Sequence, residues 1–385
     1  MFAKRTAWDL EANPLSRTLS RVRSAGTPVI DLTASNPTAC ELAYDSGKIL
    51  ESLASPAALA YEPATRGLAA ARGAVSAYYG EHGAEVPAES IVLTTGTSEA
   101  YSFAMRLLCD PGDEILVPEP SYPLLAFLAG IQDVTLVPYP LVYENGWRMD
   151  FPAIERATTP RTRAVVVIHP NNPTGNFCPP GDARRLSGWC AERGLAILAD
   201  EVFLDFALDG PPPPSFAAMR EALTFTLSGL SKIAGLPQMK ASWMAVSGPG
   251  PAKEQALERL EVIADTFLSM NAPIQLAMPA FLDLRRGFQE QLLSRIRQNL
   301  AELDRQLAGQ SSYHRLAVEG GWYVVLRVET DRTDEDLAIE LLATQGVYIH
   351  PGHFYDFPGE GYLIASLICP PGEFAAAIGR LLALC

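Results

Sequence analysis

The chain has 385 residues, 48% of them apolar and 19% charged, with a formal net charge of −14. That is globular composition, long enough for more than one packing unit and a large buried core. The surplus is acidic and no basic cluster stands out, which argues against nucleic acid and anionic membrane surfaces as partners. The opening MFAKRTAWDLEANP has no apolar h-region and does not read as a signal peptide. Apolar runs such as AVVVI at 164–168 suit buried strands and are too short to span a bilayer. The cysteines (Cys40, Cys109, Cys178, Cys190, Cys369 and Cys385) make no C-x-x-C pair. They read as reduced core thiols of a cytoplasmic protein, with neither a disulfide framework nor a metal site.

In chain order, residues 1–45 show little strand pattern and are expected to pack as an N-terminal arm on the C-terminal part of the chain. From about 90 to 250, short apolar runs alternate with helical patterns. The runs are IVLT, EILVP, TLVPY, AVVVIHP, LAILAD, LTFTLS and SWMAVSG, with stretches such as SEAYSFAMRLLC and GDARRLSGWCAERG between them. Continuous apolar strands alternating with helices predict an α/β fold, a mostly parallel seven-stranded sheet covered on both faces. Beyond 250 a long helical region, with Pro251, Pro273 and Pro279 as breaks, leads to strand patterns at WYVVLRV, VYIH and YLIASLI and a closing helix. The expected division is the arm at 1–45, a large domain at 46–275 and a smaller α+β domain at 276–385.

Ligands of an open parallel sheet bind at the carboxyl ends of its strands, so those ends carry the chemistry. After IVLT, Thr95-Gly96-Thr97-Ser98 opens a helix and offers free amides, hydroxyls and a positive dipole end to a phosphate. The same residues equally fit a Gly turn with an ordinary cap. No G-x-G-x-x-G or G-x-x-x-x-G-K-[ST] is present, so no dinucleotide or triphosphate loop is indicated. After EILVP, Tyr122 stands between Pro120 and Pro123, where it suits either stacking on a flat ring or loop packing. After AVVVI, His169-Pro170-Asn171-Asn172-Pro173-Thr174-Gly175 forces a tight turn and presents an amide at the sheet edge.

After LAILA comes Asp200. A carboxylate there is costly to bury unless it meets a cation such as a protonated ring nitrogen; capping the next helix is the competing use. After LTFTLS, Lys232 lies in a turn of small and apolar residues, where an amine loses its proton readily and attacks an aldehyde. A lone loop lysine is ordinary surface. Phosphate cradle, stacking ring, amide, carboxylate and amine together describe pyridoxal phosphate.

The order of these motifs resembles the class I/II aminotransferases, enzymes of pyridoxal-phosphate fold type I. The matching stretches are DLTASNPT (31–38), YEPATRGLAAARGAVSAYYG (61–80), VLTTGTSEA (92–100), PGDEILVPEPSYP (111–123), HPNNPTG (169–175), ADEVF (199–203) and GLSKIAGLPQMK (229–240). The resemblance implies that Lys232 carries the cofactor as a Schiff base and that Asp200 holds its ring nitrogen. Asn172 then bonds the ring oxygen and Tyr122 stacks on the ring. Gly96, Thr97, Ser98, Ser231 and Lys240 surround the phosphate. Tyr61 matches a tyrosine that crosses to the neighbouring active site, which implies a homodimer.

The departures from the family pattern are informative. Lys240 stands for an Arg, Phe203 for a Tyr that bonds the ring oxygen, Gly229 for a phosphate-binding Ser, and Ser35 for a Gly near the substrate. Ile364 stands where an Arg grips the substrate carboxylate; Arg327 and Arg66 are conceivable substitutes, and His350 and His353 flank the place where the family closes over substrate. The implied activity is ping-pong transfer of an amino group from an α-amino acid to a 2-oxo acid. Ile364 also leaves room for lyase or decarboxylase chemistry, or an atypical amino donor. A non-catalytic cofactor-binding module joined to a DNA-binding domain is disfavoured, since only about 45 residues precede the sheet region and carry no basic stripe.

Overall fold

The computed structural model describes residues 1–268 and 270–384; Cys385 lies outside them. The strands, in chain order, are β1 (Ile30–Asp31), β2 (Ile91–Thr94), β3 (Glu114–Glu119), β4 (Thr135–Tyr143), β5 (Trp147–Met149), β6 (Thr162–Ile168) and β7 (Ala196–Asp200). They continue with β8 (Thr224–Gly229), β9 (Ser242–Ser247), β10 (Tyr313–Arg315), β11 (Tyr323–Val328), β12 (Val347–Tyr348), β13 (His350–Pro351) and β14 (Tyr362–Ser366).

The large sheet runs β2-β9-β8-β7-β6-β3-β4-β5. Neighbours from β8 to β4 pair in parallel, while β9 runs against both β2 and β8. The expected strands are all present, and β5 adds an eighth by folding back on β4 around Asn145 and Gly146, both at positive φ. Alternation within the apolar run of β6 explains its burial on both faces. Val165 and Val167 pack with Leu186 and Trp189 of the helix Pro180–Arg193, while Val166 and Ile168 pack with Ala100 and Leu260 on the other face. Each strand therefore needs apolar residues at every position. Because β9 runs against β2 and β8 and starts where they end, Thr94, Glu119, Ile168, Asp200, Gly229 and Ser242 lie along one edge.

A second sheet, order β10-β11-β14-β13, is antiparallel. β1 of the N-terminal segment pairs in parallel with β12, at Ile30↔Val347 and Asp31↔Tyr348, as a separate two-stranded sheet. β12 lies within the VYIH pattern read from the sequence, whereas the two residues of β1 leave no readable alternation. Pro251 and Pro273 lie in the first turns of the helices Gly250–Thr266 and Ala272–Leu307, where a missing N–H costs nothing. Pro279 does not break the second helix as expected. One absent backbone bond is outweighed by the buried stripe of Phe281, Leu282, Phe288, Leu292, Ile296 and Leu303.

Candidate active site

The large sheet's carboxyl edge, the N-terminal segment and the second sheet enclose a cavity of about 360 Å³. Thr97, Ser98, Tyr122, Asn172 and Asp200 line it from the large sheet's loops, with Phe203, Ser231 and Lys232. Thr33 and Ser35 come from the N-terminal segment, and Tyr323, His350 and Tyr355 from the side of the second sheet.

Asp200 ends β7 as the last residue of an otherwise buried strand. Its Oδ2 accepts from the Tyr101 hydroxyl at 3.1 Å and its Oδ1 from the Val202 N–H at 3.2 Å. Burial pushes its pKa up to about 6, with those two donors and Lys232 pulling the other way. Tyr101 sits on the helix Thr97–Leu108, whose first turn borders the other end of the cavity. One helix thus aims its N-terminus at one end of the site and clamps the carboxylate from its second turn. Next to Asp200, Glu201 faces away: it accepts from Ser215 Oγ and the Phe216 N–H, both at 2.6 Å, and is fully buried.

Lys232 follows β8 in a single helical turn, Leu230–Ile233. Its Nζ lies 4.8 Å from the Trp322 ring centroid and 5.6 Å from that of Phe203, and donates to Ser35 O at 3.4 Å. Burial against these rings lowers its pKa to about 8, opposed by the attraction of Asp200. An amine poised near neutrality beside a carboxylate is the arrangement a nucleophilic lysine requires. Phe203, where the family pattern has a hydroxyl, contributes apolar surface to that lowering.

The HPNNPTG turn divides its asparagines. Asn171 Nδ2 donates to Pro120 O at 3.1 Å and to Thr174 Oγ1 at 2.7 Å, which ties the turn to the loop before Tyr122. Asn172 turns to the cavity, and its buried Oδ1 has no partner among the described residues. Gly96 precedes the helix Thr97–Leu108 in extended backbone, and Lys240 Nζ lies 3.7 Å from where a Cβ on Gly96 would be. Lys240 is thereby brought to the helix N-terminus despite lying on a separate loop.

Five of the sequence-derived positions lie outside the cavity lining: Gly96 and Lys240, which sit together at the helix N-terminus, and Tyr61, His353 and Ile364. Tyr61 is 80% exposed in the single chain. His353 faces solvent, its backbone N–H bonded to Asp334. Ile364 is buried in β14 as the register partner of both Val325 and His350. Of the conceivable cationic substitutes, Arg327 stacks on Tyr362 and donates to Glu360 O, and Arg66 pairs with Glu261 at 2.8 Å. Neither lines the cavity. Tyr101, Tyr323, Tyr355 and Ser242 were not anticipated.

A lysine and a carboxylate thus meet at the carboxyl edge of an open α/β sheet, the place where such folds bind small ligands. The aminotransferase class I and II family matches residues 29–366, and the chain belongs to that family. It is 28% identical over 357 residues to the glutamate-pyruvate aminotransferase AlaA of Escherichia coli strain K12, covering 90% of this chain and 87% of that protein. It is 26% identical over 379 residues to an alanine aminotransferase of Mycobacterium tuberculosis strain H37Rv, covering 96% and 88%. In structure it resembles an alanine aminotransferase from Pyrococcus furiosus, with a TM-score of 0.89 and 22% identity over 100% of this chain and 99% of that one. The protein is an enzyme that transfers amino groups, and that activity prevails over lyase or decarboxylase chemistry.

Proposed function

We propose that the cavity holds pyridoxal 5′-phosphate, covalently attached to Lys232, and that the enzyme moves an amino group from an α-amino acid to a 2-oxo acid in two half-reactions. The donor set fits that cofactor. Asp200 has acceptor capacity left over after Tyr101 and Val202, and a protonated ring nitrogen would use it. The unpaired amide of Asn172 suits the ring oxygen, Tyr122 suits the ring face, and Lys240 with the Gly96–Ser98 amides suits the phosphate. When bound, the cofactor supplies an aldehyde for amines and a ring that withdraws electrons from the substrate Cα.

The protein's own part follows from the geometry. Asp200 keeps the ring nitrogen protonated. Lys232 Nζ, whose proton is held less tightly because of burial, would serve as the base at the substrate Cα and return that proton on the cofactor side. The N-terminal segment places the Ser35 carbonyl within reach of Lys232 Nζ. Among the described residues no arginine lines the cavity, so the carboxyl end of the substrate meets neutral donors, with His350 foremost. The surface around Leu59 and Tyr61 is exposed and apolar, which suits a homodimer in which Tyr61 crosses to the neighbouring cavity. The observation that carries the reading is the convergence of Lys232 and Asp200, with oppositely shifted proton affinities, on one cavity.

The test is spectroscopic. Purified protein should show cofactor absorbance near the visible edge, which Lys232→Ala abolishes. Single amino acids should convert it to the amino form of the cofactor and yield one equivalent of 2-oxo acid. An unchanged spectrum in the variant would remove the assignment of Lys232; pyruvate and ammonia without conversion of the cofactor would redirect the chemistry to elimination.

A further inference from the structure

Gly229 and Ser242 are register partners at the cavity end of β8 and β9. Ser242 is also the partner of Thr94 at the end of β2. It therefore lies between the two strands whose following loops carry Gly96–Ser98 and Ser231–Lys232. Its side chain is 1% exposed, lines the cavity, and makes no hydrogen bond among the described residues. A hydroxyl that borders the cavity and has no protein partner is free to serve a ligand bound there.

The glycine opposite explains the arrangement. Its φ is 178°, extended backbone open to any residue, so conformational freedom does not require glycine there. Space does. A Cβ on Gly229 would lie 2.8 Å from Ser242 Cβ and 2.9 Å from Ala241 O, and closer still to the Ser242 hydroxyl. Two residues before Ser242, Lys240 adopts a left-handed φ of 51° and brings its Nζ beside Gly96. The Ser242 hydroxyl and the first turn of a 12-residue helix border the cavity, and the Lys240 ammonium lies beside the glycine that precedes that helix.

We propose that Ser242 gives the side-chain hydroxyl to the phosphate of the cofactor, in place of a side chain at 229, so that Gly229 and Ser242 act as one unit. Only one of these two strands has room for the hydroxyl; the other must stay small. This inference rests on the pyridoxal-phosphate reading.

Apoprotein titrated with pyridoxal phosphate, and separately with pyridoxal, tests it through tryptophan fluorescence, since Trp322 stands beside Lys232. Ser242→Ala should weaken pyridoxal phosphate binding by roughly tenfold, as for a hydrogen bond to a charged group. Pyridoxal, which lacks the phosphate, should bind within about twofold of wild type. Gly229→Ser alone should also weaken binding of the phosphorylated compound, and Gly229→Ser with Ser242→Gly should restore it to within about threefold. Unchanged affinity in Ser242→Ala would overturn the proposal, as would equal losses for both compounds or a double variant no better than the worse single one. Wild-type apoprotein that takes up neither compound would remove the cofactor reading itself, and this inference with it.

Discussion

On the large-sheet side of the cavity, Asp200 and Lys232 are charged or readily charged groups, each held by specific neighbours and each with a strongly shifted proton affinity. On the side of the second sheet the polar groups are Tyr323, Tyr355 and His350. Burial drives both tyrosines well above their usual pKa and His350 below its own, so all three stay neutral around pH 7. Opposite charge fixes the position of a ligand strongly and at one point; neutral hydrogen bonds and aromatic surface select shape at lower energy. The first wall suits a permanent cofactor, and the second suits substrates that must enter and leave.

The sharpest way to break this contrast is to neutralise the first wall. Asp200→Asn keeps the size of the side chain and removes the charge that holds a ring nitrogen protonated. The amino-transfer rate should fall by at least about a hundredfold, the scale of losing one preorganised charge contact in a dry site. Single-turnover conversion of the cofactor by an amino acid measures it, with cofactor content checked by absorbance. A rate within a few-fold of wild type would mean that the carboxylate does not govern the chemistry.

The second wall is sharpened by His350. Its Nδ1 lies 3.1 Å from the Tyr355 hydroxyl, and a tyrosine that donates there leaves Nε2 carrying the imidazole proton. His350→Leu should raise KM for an amino acid by about tenfold, the size of one hydrogen bond to a carboxylate, with a smaller change in kcat. The amide of the same amino acid should be nearly insensitive to the change. Equal losses for acid and amide would assign His350 to packing alone.

The two walls also differ in how far the sequence revealed them. Asp200 ends its apolar strand, and Tyr122, Asn172 and Lys232 lie three or four residues beyond theirs, so a continuous apolar run marks its own functional end. Tyr323 and Tyr355 reach the cavity through the pairing of β11, β13 and β14 and through a short turn, and register between distant strands leaves no local pattern; His350 was named only through the family resemblance. The pairing of β1 with β12 was equally silent, although the N-terminal arm had been expected to lie near the C-terminal part. Gly229 was legible as a departure from the family pattern, but only the register of β8 against β9 puts Ser242 over it. Tyr101 was hidden by its helix: within SEAYSFAMRLLC it reads as one more residue of the buried stripe.

Tyr101 gives the smallest expected effect and the finest probe of the first wall. Its hydroxyl donates to Asp200 at 3.1 Å and stabilises the ionised carboxylate, which burial has already pushed up to about 6. Tyr101→Phe keeps the ring in the core and deletes only that donor. The pKa of Asp200 in the apoprotein should therefore rise further. Cofactor binding needs the carboxylate ionised, so affinity is retained above this pKa and lost as pH falls through it. The acid limb of affinity against pH should move upward by about half a unit, equivalent to roughly 0.7 kcal/mol of lost hydrogen bonding. Titrations of apoprotein with pyridoxal phosphate between about pH 5 and 8 measure the shift. A limb that stays in place would leave Tyr101 as a packing residue; one that moves downward would mean that the hydroxyl had been favouring the protonated acid.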